Sequence, residues 1–189
     1  VLSSEKHDVP AEAFCFDPAT AKIERLGDLT AACGEKGSGA IVQGKSHVNF
    51  IEANGRLHFA THIGYYSIRA GMETLGDPPA GWKPYRGGHF LALDVKTRKF
   101  EDLGIAPMGE GILSMTMDRG RGILYGLTWP TGRFLRCDVA TRKVTDLGPV
   151  SMDVAYVYDV DGDEGRTTGY LGVLFLGHTV DPNGEFAPR

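Results

Sequence analysis

The sequence predicts an all-β protein, and three observations support that prediction. One phrase recurs three times, as FDPATAKIERLG from Phe16, LDVKTRKFEDLG from Leu93 and CDVATRKVTDLG from Cys137. The second and third copies start 44 residues apart, and 26 of the 189 residues are glycine, which suits a chain with many tight turns. A repeat of about 40–50 residues made of short strands is typical of a β-propeller blade.

The third copy predicts one complete blade of four antiparallel strands. Its apolar or alternating runs are about five to seven residues long. They are separated by Gly, Asp and Pro-Thr-Gly turns. From the innermost strand outward, we predict strands at Ile112–Asp118, Ile123–Trp129, Arg133–Val139 and Lys143–Leu147.

The second copy aligns with the third and predicts a second complete blade. Its inner pair is joined by Asn54-Gly55, and an Asn-Gly dipeptide between apolar runs is the strongest short hairpin signal. The predicted strands are His47–Ala53, Arg56–His62, His89–Val95 and Lys99–Leu103.

The two ends of the chain predict partial blades. Residues 12–26 read as an outer strand pair, and residues 154–177 read as an inner pair. We therefore predict one propeller domain over 1–189, divided into a partial blade 12–29, a blade 45–104 with an insertion 63–86, a blade 110–148 and a partial blade 153–189. These three to four blade equivalents are too few for a standard ring of four to eight blades. Three interpretations stay open: a piece of a longer propeller, a ring completed by a second copy, or an open stack.

Composition limits the classes of partner. The formal net charge of −4 argues against a nucleic-acid footprint. No apolar run reaches 18 residues, so no membrane span is expected, and the stretch VLSSEKHDVP is not a signal peptide. Three cysteines without a CxxC pair predict free thiols. Of these, Cys33 lies in a Gly-rich loop and is the candidate for a reactive thiol.

Two long insertions predict where function lies. The interval from the second strand to the repeat Asp is roughly 23 residues longer in the second blade, over 63–86, than in the third. The loop 27–46 before the second blade is also long. Both insertions should emerge on the same side of the same blade, and long structured loops are usually functional.

A pair of histidines brackets the inner hairpin of that blade. We expect His47 and His62 to lie side by side, because antiparallel pairing brings those two ends together. The equivalent residues of the third blade are Ile112 and Trp129, both apolar. One interpretation is a catalytic or binding pocket, and the other is that the two imidazoles simply bond each other or the backbone.

Polar and aromatic residues around the pair predict a saccharide site. Aromatic faces suit sugar rings, and Lys or Arg suits a carboxylate. The candidates for catalysis are His47, His62, Tyr65 and Tyr66, and the candidates for substrate binding are Lys45, Arg69, Trp82, Tyr85, Arg86 and Glu110.

Two groups of residues are candidates for a divalent metal ion. His47, His62 and His89 could supply imidazole ligands, although no HxH or HExxH spacing is present. Asp159, Asp161 and Asp163 resemble the first half of a calcium loop. Tyr170 stands at the twelfth position, where such a loop needs a carboxylate. The alternative for this segment is a solvated acidic turn.

The segments SHVNFIEANGRLHFATHIGYYS and GGHFLALDVKTRKFEDLG resemble β-propeller proteins of the broad YVTN/Kelch-like class. The hairpin flanked by histidines is also similar to propeller polysaccharide lyases such as oligogalacturonate and ulvan lyases. This resemblance implies β-elimination, with His47 or His62 neutralising a uronate carboxylate and Tyr65 or Tyr66 transferring the proton. Lys45 or Arg69 would hold a second anionic group. The HxH-type metal cluster of oligogalacturonate lyases is absent, which counts against a metal-dependent mechanism.

Two functional hypotheses from different classes follow. The first is a protein that binds an acidic saccharide, with cleavage of that saccharide as its catalytic extension. The second is a non-catalytic propeller that serves as a binding or scaffolding module, or a fragment of a larger propeller protein. A homo-oligomer is expected if a second copy closes the ring. Propellers of this class are often exported, so a periplasmic or extracellular location is expected.

Overall fold

The computed structural model describes residues 1–69, 72–150, 178–180 and 186–188. It confirms the all-β class, with antiparallel strands in several sheets. One short helix, α1, spans Leu29–Ala32. The strands are β1 Glu12–Asp17, β2 Lys22–Asp28, β3 Gln43–Lys45, β4 Ile51–Ala53, β5 Arg56–Ala60, β6 His62–Ile63, β7 Tyr66–Arg69, β8 Met72–Leu75, β9 His89–Asp94, β10 Phe100–Ile105, β11 Gly111–Asp118, β12 Ile123–Trp129, β13 Arg133–Asp138, β14 Lys143–Pro149, β15 His178–Val180 and β16 Phe186–Pro188.

Two of the sheets are four-stranded meanders. The first has the order β4-β5-β9-β10 and the second has the order β11-β12-β13-β14, with every neighbouring pair antiparallel. A separate hairpin, β1–β2, matches the partial unit predicted at the start of the chain. In the described part of the chain, no helix is long and apolar enough to cross a membrane.

The first strand of the first sheet, β4, is shorter than predicted. It begins at Ile51, not at His47, and its partner β5 ends at Ala60. The sheet stops there because the Thr61 carbonyl accepts a hydrogen bond from the Ile112 backbone of the second sheet. His62 instead pairs with Lys45 in the two-stranded sheet β3–β6. The prediction that His47 and His62 end one hairpin is therefore wrong.

One hydrophobic core joins the hairpin and both four-stranded sheets. It includes Ala13 of the hairpin, Phe59 and Phe90 of the first sheet, and Leu124 and Leu135 of the second. Strand β10 of the first sheet faces the second sheet. Its Phe100 packs against this core, and its Leu103 carbonyl lies 3.6 Å from the Cys137 sulfur of the second sheet. The three units are therefore packed in series.

The repeated phrase has the same turn in all three copies. Asp17, Asp94 and Asp138 each accept a hydrogen bond from a backbone N–H two or three residues further along. Four residues after each Asp, a residue adopts positive φ: Ala21 at 51°, Arg98 at 59° and Arg142 at 55°. An Asp side chain that caps a turn in this way is an architectural device. The repeat therefore specifies turn geometry.

The two long insertions pack on each other. Strand β3 from the first insertion pairs with β6, where the second insertion begins. The Ile41 backbone N–H donates to the Lys83 carbonyl, and the Lys83 N–H donates to the Gly39 carbonyl. Gln43 is fully buried between them, where its amide donates to Glu35 and to the Gly87 carbonyl. The insertions thus form one structured layer beside the first sheet.

Candidate functional site

Five residues meet beside that layer, and we call them the His–Tyr cluster: Lys45, His47, His62, Tyr66 and Trp129. Lys45 ends β3 and lies opposite His62 of β6. Tyr66 begins β7, and Trp129 ends β12 of the second sheet. His47 lies in the connection between β3 and β4.

The two histidines contact each other although they do not share a hairpin. Their ring centroids lie 4.8 Å apart, with the planes nearly perpendicular. His62 is 2% exposed, whereas His47 is an exposed residue. A Cβ atom on Gly111 would lie 2.7 Å from the His62 ring, so the absence of a side chain at Gly111 makes room for this imidazole. The structure thus presents one accessible and one buried imidazole at the same place.

Hydrogen bonds define the protonation of His62. Its Nδ1 lies 2.8 Å from the Ile63 carbonyl oxygen, which can only accept, so Nδ1 carries the proton and donates. The Tyr66 hydroxyl donates to the same carbonyl at 2.9 Å and lies 3.1 Å from Nδ1. The lone pair of His62 is therefore on Nε2. That atom is buried and has no hydrogen-bond partner in the described part of the chain.

The electrostatic setting of the cluster makes both imidazoles neutral near pH 7. Burial lowers the pKa of His62 to about 4, and the nearby His47 and Lys45 act in the same direction. Partial desolvation, together with the charge of Lys45, lowers the pKa of His47. A neutral imidazole does not offset a carboxylate by charge. The positive charge of the cluster is that of Lys45, whose Nζ lies 4.5 Å from the centre of the Tyr66 ring and 3.7 Å from the Glu5 carboxylate.

Three further candidate residues lie at the edge of the cluster or beyond it. Tyr65 contacts His7, with ring centroids 5.6 Å apart, and His7 in turn contacts Trp82 at 4.8 Å. Arg69 is exposed and forms an ion pair with Asp77. His7 was not predicted as a site residue, because nothing in the sequence connects it with the insertion.

Two predicted substrate-binding residues are instead buried and hydrogen-bonded within the protein. Tyr85 is 2% exposed and donates to Gln43 Oε1 at 2.7 Å, and burial raises the pKa of its phenol well above the ordinary value. Glu110 is 5% exposed, and its carboxylate accepts from the hydroxyls of Thr128 and Thr131, both at 2.6 Å. Both residues hold the framework together.

His89 belongs to a different cluster from the other two histidines. Its Nδ1 lies 3.0 Å from Asp102 and its Nε2 lies 3.2 Å from Glu35, whose carboxylate also pairs with Arg86 at 3.3 Å. Burial acts to lower the pKa of His89, but bonds to Asp102, Cys33 and Glu35 raise it to about 11. With both ring nitrogens engaged by carboxylates, His89 does not complete a metal site with His47 and His62.

Metal and thiol predictions have separate outcomes. Among the described residues, no group of three or more His, Cys, Asp or Glu side chains is arranged to hold a metal ion. Asp159, Asp161 and Asp163 lie outside the described residues.

The cysteines are free, as predicted, but Cys33 is buried. Burial raises the pKa of the Cys33 thiol, so the expectation of a reactive thiolate is not supported.

The link between His89 and Asp102 follows a rule that the sequence does contain. In each repeat, an ionisable residue four positions before the phrase faces another at the tenth position of the phrase. The pairs are Glu12–Arg25 at 2.6 Å, His89–Asp102 at 3.0 Å and Arg133–Asp146 at 2.5 Å. The polarity is reversed in the first copy. Comparing the three copies position by position would have identified this pair before the structure.

No protein-family model, no curated protein and no solved structure matches this chain. Its resemblance to propellers and to polysaccharide lyases therefore depends on the residues themselves. The arrangement of the cluster is the remaining guide to function.

Proposed function

We propose that this chain is a carbohydrate-binding propeller protein and that its His–Tyr cluster holds the carboxylate of an acidic saccharide. The observation that carries the proposal is the combination of one cation, two neutral imidazoles and two aromatic rings at one point. The Lys45 side chain is 17% exposed, packs over Tyr66 and lies 3.7 Å from the exposed Glu5 carboxylate, so its charge is partly shielded from water and a ligand carboxylate would take the place of Glu5. A carboxylate interacts more strongly with a partly desolvated ammonium than with one in bulk water.

The accessible His47 gives the cluster a second chemical capacity. A neutral imidazole in contact with solvent can take a proton, and Lys45 beside it can stabilise the negative charge that then develops on a carboxylate. In β-elimination, His47 removes the proton next to the uronate carboxylate and a carbon–carbon double bond forms. The glycosidic carbon–oxygen bond breaks, and the leaving oxygen takes a proton from Tyr65 or Tyr66. His62 acts through position, because its ring packs against His47.

The proposed propeller architecture is supported by the repeat and by the two meanders. Each four-stranded sheet would be one blade, and β1–β2 would be the outer half of another. Phe16 and Ile23 are opposite one another on this hairpin and are 59% and 70% exposed. Further blades or a second copy of the chain would cover that surface. Light scattering tests this point: a stable dimer supports ring completion by a second copy, and a monomer contradicts it.

Calorimetric titration with a galacturonate oligosaccharide tests the binding site. We expect Lys45→Met and His47→Ala to weaken binding by about tenfold or more, since about 1.4 kcal/mol corresponds to tenfold. Lys143→Met, at an exposed lysine of β14, is the matched control and should bind as the parent does. Equal affinity in the parent and in Lys45→Met would contradict the proposal.

The catalytic extension has its own readout. β-Elimination produces an unsaturated uronate that absorbs ultraviolet light, so its formation can be followed directly in the parent protein and in His47→Ala. Product formation that is lost in His47→Ala while binding persists supports catalysis by His47. Binding without product in the parent protein limits the function to recognition.

A further inference from the structure

We infer that an uncharged sugar unit binds in a cleft beside Trp82, so that the ligand alternates acidic and neutral units. This inference rests on the proposed function, since it extends the same bound saccharide from the His–Tyr cluster into a neighbouring site. The cleft has a volume of about 370 Å³, and its lining includes Asp8, Asp28, Glu35, Ser38 and Trp82.

A row of three rings runs from the cleft to the residue beside Tyr66 of the cluster. Trp82 lies in the wall of the cleft and contacts His7 edge to face, and His7 contacts Tyr65. Tyr65 precedes Tyr66 of the cluster directly in the chain. Tyr65, His7 and Trp82 are each partly exposed, so a ligand that lies along this row can touch all three rings.

The charge of the cleft selects the kind of unit that enters it. Asp8 and Asp28 bring negative charge, and Lys36 is the cation in the lining. The third carboxylate, that of Glu35, is compensated by His89 and Arg86. A uronate here would face carboxylates of the same sign. The hydroxyl groups of a neutral sugar can instead donate to the Asp8 carboxylate while the ring packs on Trp82.

One wall of the cleft is a loop whose backbone is fixed by hydrogen bonds. The segment from Glu35 to Ala40 is a chain of turns in which Gly37 and Gly39 adopt φ of 78° and 71°. The Ser38 N–H donates to the Glu35 carbonyl, and the Lys83 ammonium donates to the Ser38 carbonyl. The Glu35 side chain, 1% exposed, fixes this loop to His89 of the first sheet. The cleft is therefore formed before a ligand arrives, which limits the entropy cost of binding.

Three ligands in calorimetric titration test the inference: glucuronate, a tetrasaccharide of alternating glucuronate and N-acetylglucosamine, and tetragalacturonate. We expect the alternating tetrasaccharide to bind about tenfold more tightly than tetragalacturonate. Trp82→Ala and Asp8→Asn should each remove most of that preference and leave the affinity for glucuronate unchanged. Thermal unfolding of both variants checks that the fold is intact, and Asp8→Asn, at an exposed position, keeps the test valid if Trp82→Ala is destabilised.

The outcomes separate the two proposals. If Lys45→Met loses glucuronate but Trp82→Ala and Asp8→Asn keep the parent's preference, the inference about the cleft is overturned and the proposed function stands. If glucuronate binds equally well to the parent and to Lys45→Met, the proposed function is overturned. A preference for tetragalacturonate in the parent protein overturns the inference as well.

Discussion

His62 and His89 are both buried, yet their surroundings drive them to opposite charge states. His62 is 2% exposed and His89 is 4% exposed. The two residues are also close in the fold, because the backbone N–H of Thr61, which precedes His62, donates to the His89 carbonyl. His62 has a carbonyl on one nitrogen and, among the described residues, no hydrogen-bond partner on the other, and its pKa falls to about 4. His89 has a carboxylate on each nitrogen, and its pKa rises to about 11.

The difference shows that the partners of a buried imidazole, more than its burial, decide its charge. The His89 charge belongs to a repeated ion pair that the insertion has extended with Glu35. The His62 imidazole belongs to the His–Tyr cluster and is neutral near pH 7, so its Nε2 keeps a lone pair. One histidine thus stabilises the framework, and the other is available to the proposed site.

Removal of the His89 charge should have the largest effect. In His89→Ala, the Glu35 carboxylate keeps Arg86 and the Gln43 amide but loses its buried cationic partner, and we expect the free energy of unfolding to fall by about 3–5 kcal/mol. Urea unfolding measures the change. Arg133→Ala is the matched control, because it removes the equivalent repeat pair with Asp146, whose side chains are 33% and 28% exposed. There the loss should be about 1 kcal/mol or less. Equal losses at the two sites would contradict the comparison.

The two histidines should also produce opposite pH dependences. The folded pKa of His89 is raised above its unfolded value of 6.5, so its contribution to stability is complete below pH 6.5 and is lost as pH rises through about 11. The folded pKa of His62 is lowered, so its contribution is complete above pH 6.5 and is lost as pH falls through about 4. For His62 the linkage corresponds to on the order of 3 kcal/mol.

Unfolding curves across pH, paired with NMR titration of the imidazole protons, measure both windows. His62→Ala should reduce the pH dependence of the unfolding free energy on the acid side alone, and His89→Ala should reduce it on the alkaline side alone. If His62 titrates near 6.5 in the folded protein, the neutral role assigned to it in the cluster is wrong.

A side chain at Gly111 should disturb the pocket of His62. In Gly111→Ala, the new methyl group would lie within 3 Å of three ring atoms of His62, and overpacking of this kind costs about 1–3 kcal/mol. Gly120→Ala is the control, since its methyl group meets only an ordinary contact with Asp118. Chemical unfolding of the single variants and of the double variant with His62→Ala completes a cycle. The loss of unfolding free energy caused by Gly111→Ala should be smaller when His62 is absent. If the two losses simply add in the double variant, the methyl group at Gly111 does not act through His62.

The smallest effect is expected at Lys45. Its ammonium packs over the Tyr66 ring, and such contacts contribute about 0.5–1 kcal/mol. Lys45→Met keeps most of the apolar stem and should lower the free energy of unfolding by no more than that amount. Thermal or chemical unfolding measures it, with Lys143→Met as the exposed control. A loss of several kcal/mol would mean that Lys45 is part of the framework, and its effect on saccharide binding would need a different explanation.

Much of the fold could be predicted because its signals are local. Strand alternation, the Asn54-Gly55 hairpin and the Asp-capped turns each depend on residues within a few positions of one another. The predicted strands of the second sheet agree with the structure to within two residues at each end. The presence of two long insertions on one side of the first sheet could be anticipated, because loop lengths are read directly from the repeat, whereas their packing on each other could not.

What the sequence alone determined is therefore the repeat, its turns and the strands it generates. The contact of His47 with His62 occurs without the predicted hairpin, since His62 pairs with Lys45 of β3. The tertiary structure alone decided the interior position of Tyr85 and Glu110, the early end of β5 and the carboxylates that surround His89. Glu35 and His89 are 54 residues apart in the chain, and neither has a local pattern that indicates the other. Charge state and burial depend on such distant contacts, because only the packed chain decides which polar atoms lose water and which partner replaces it.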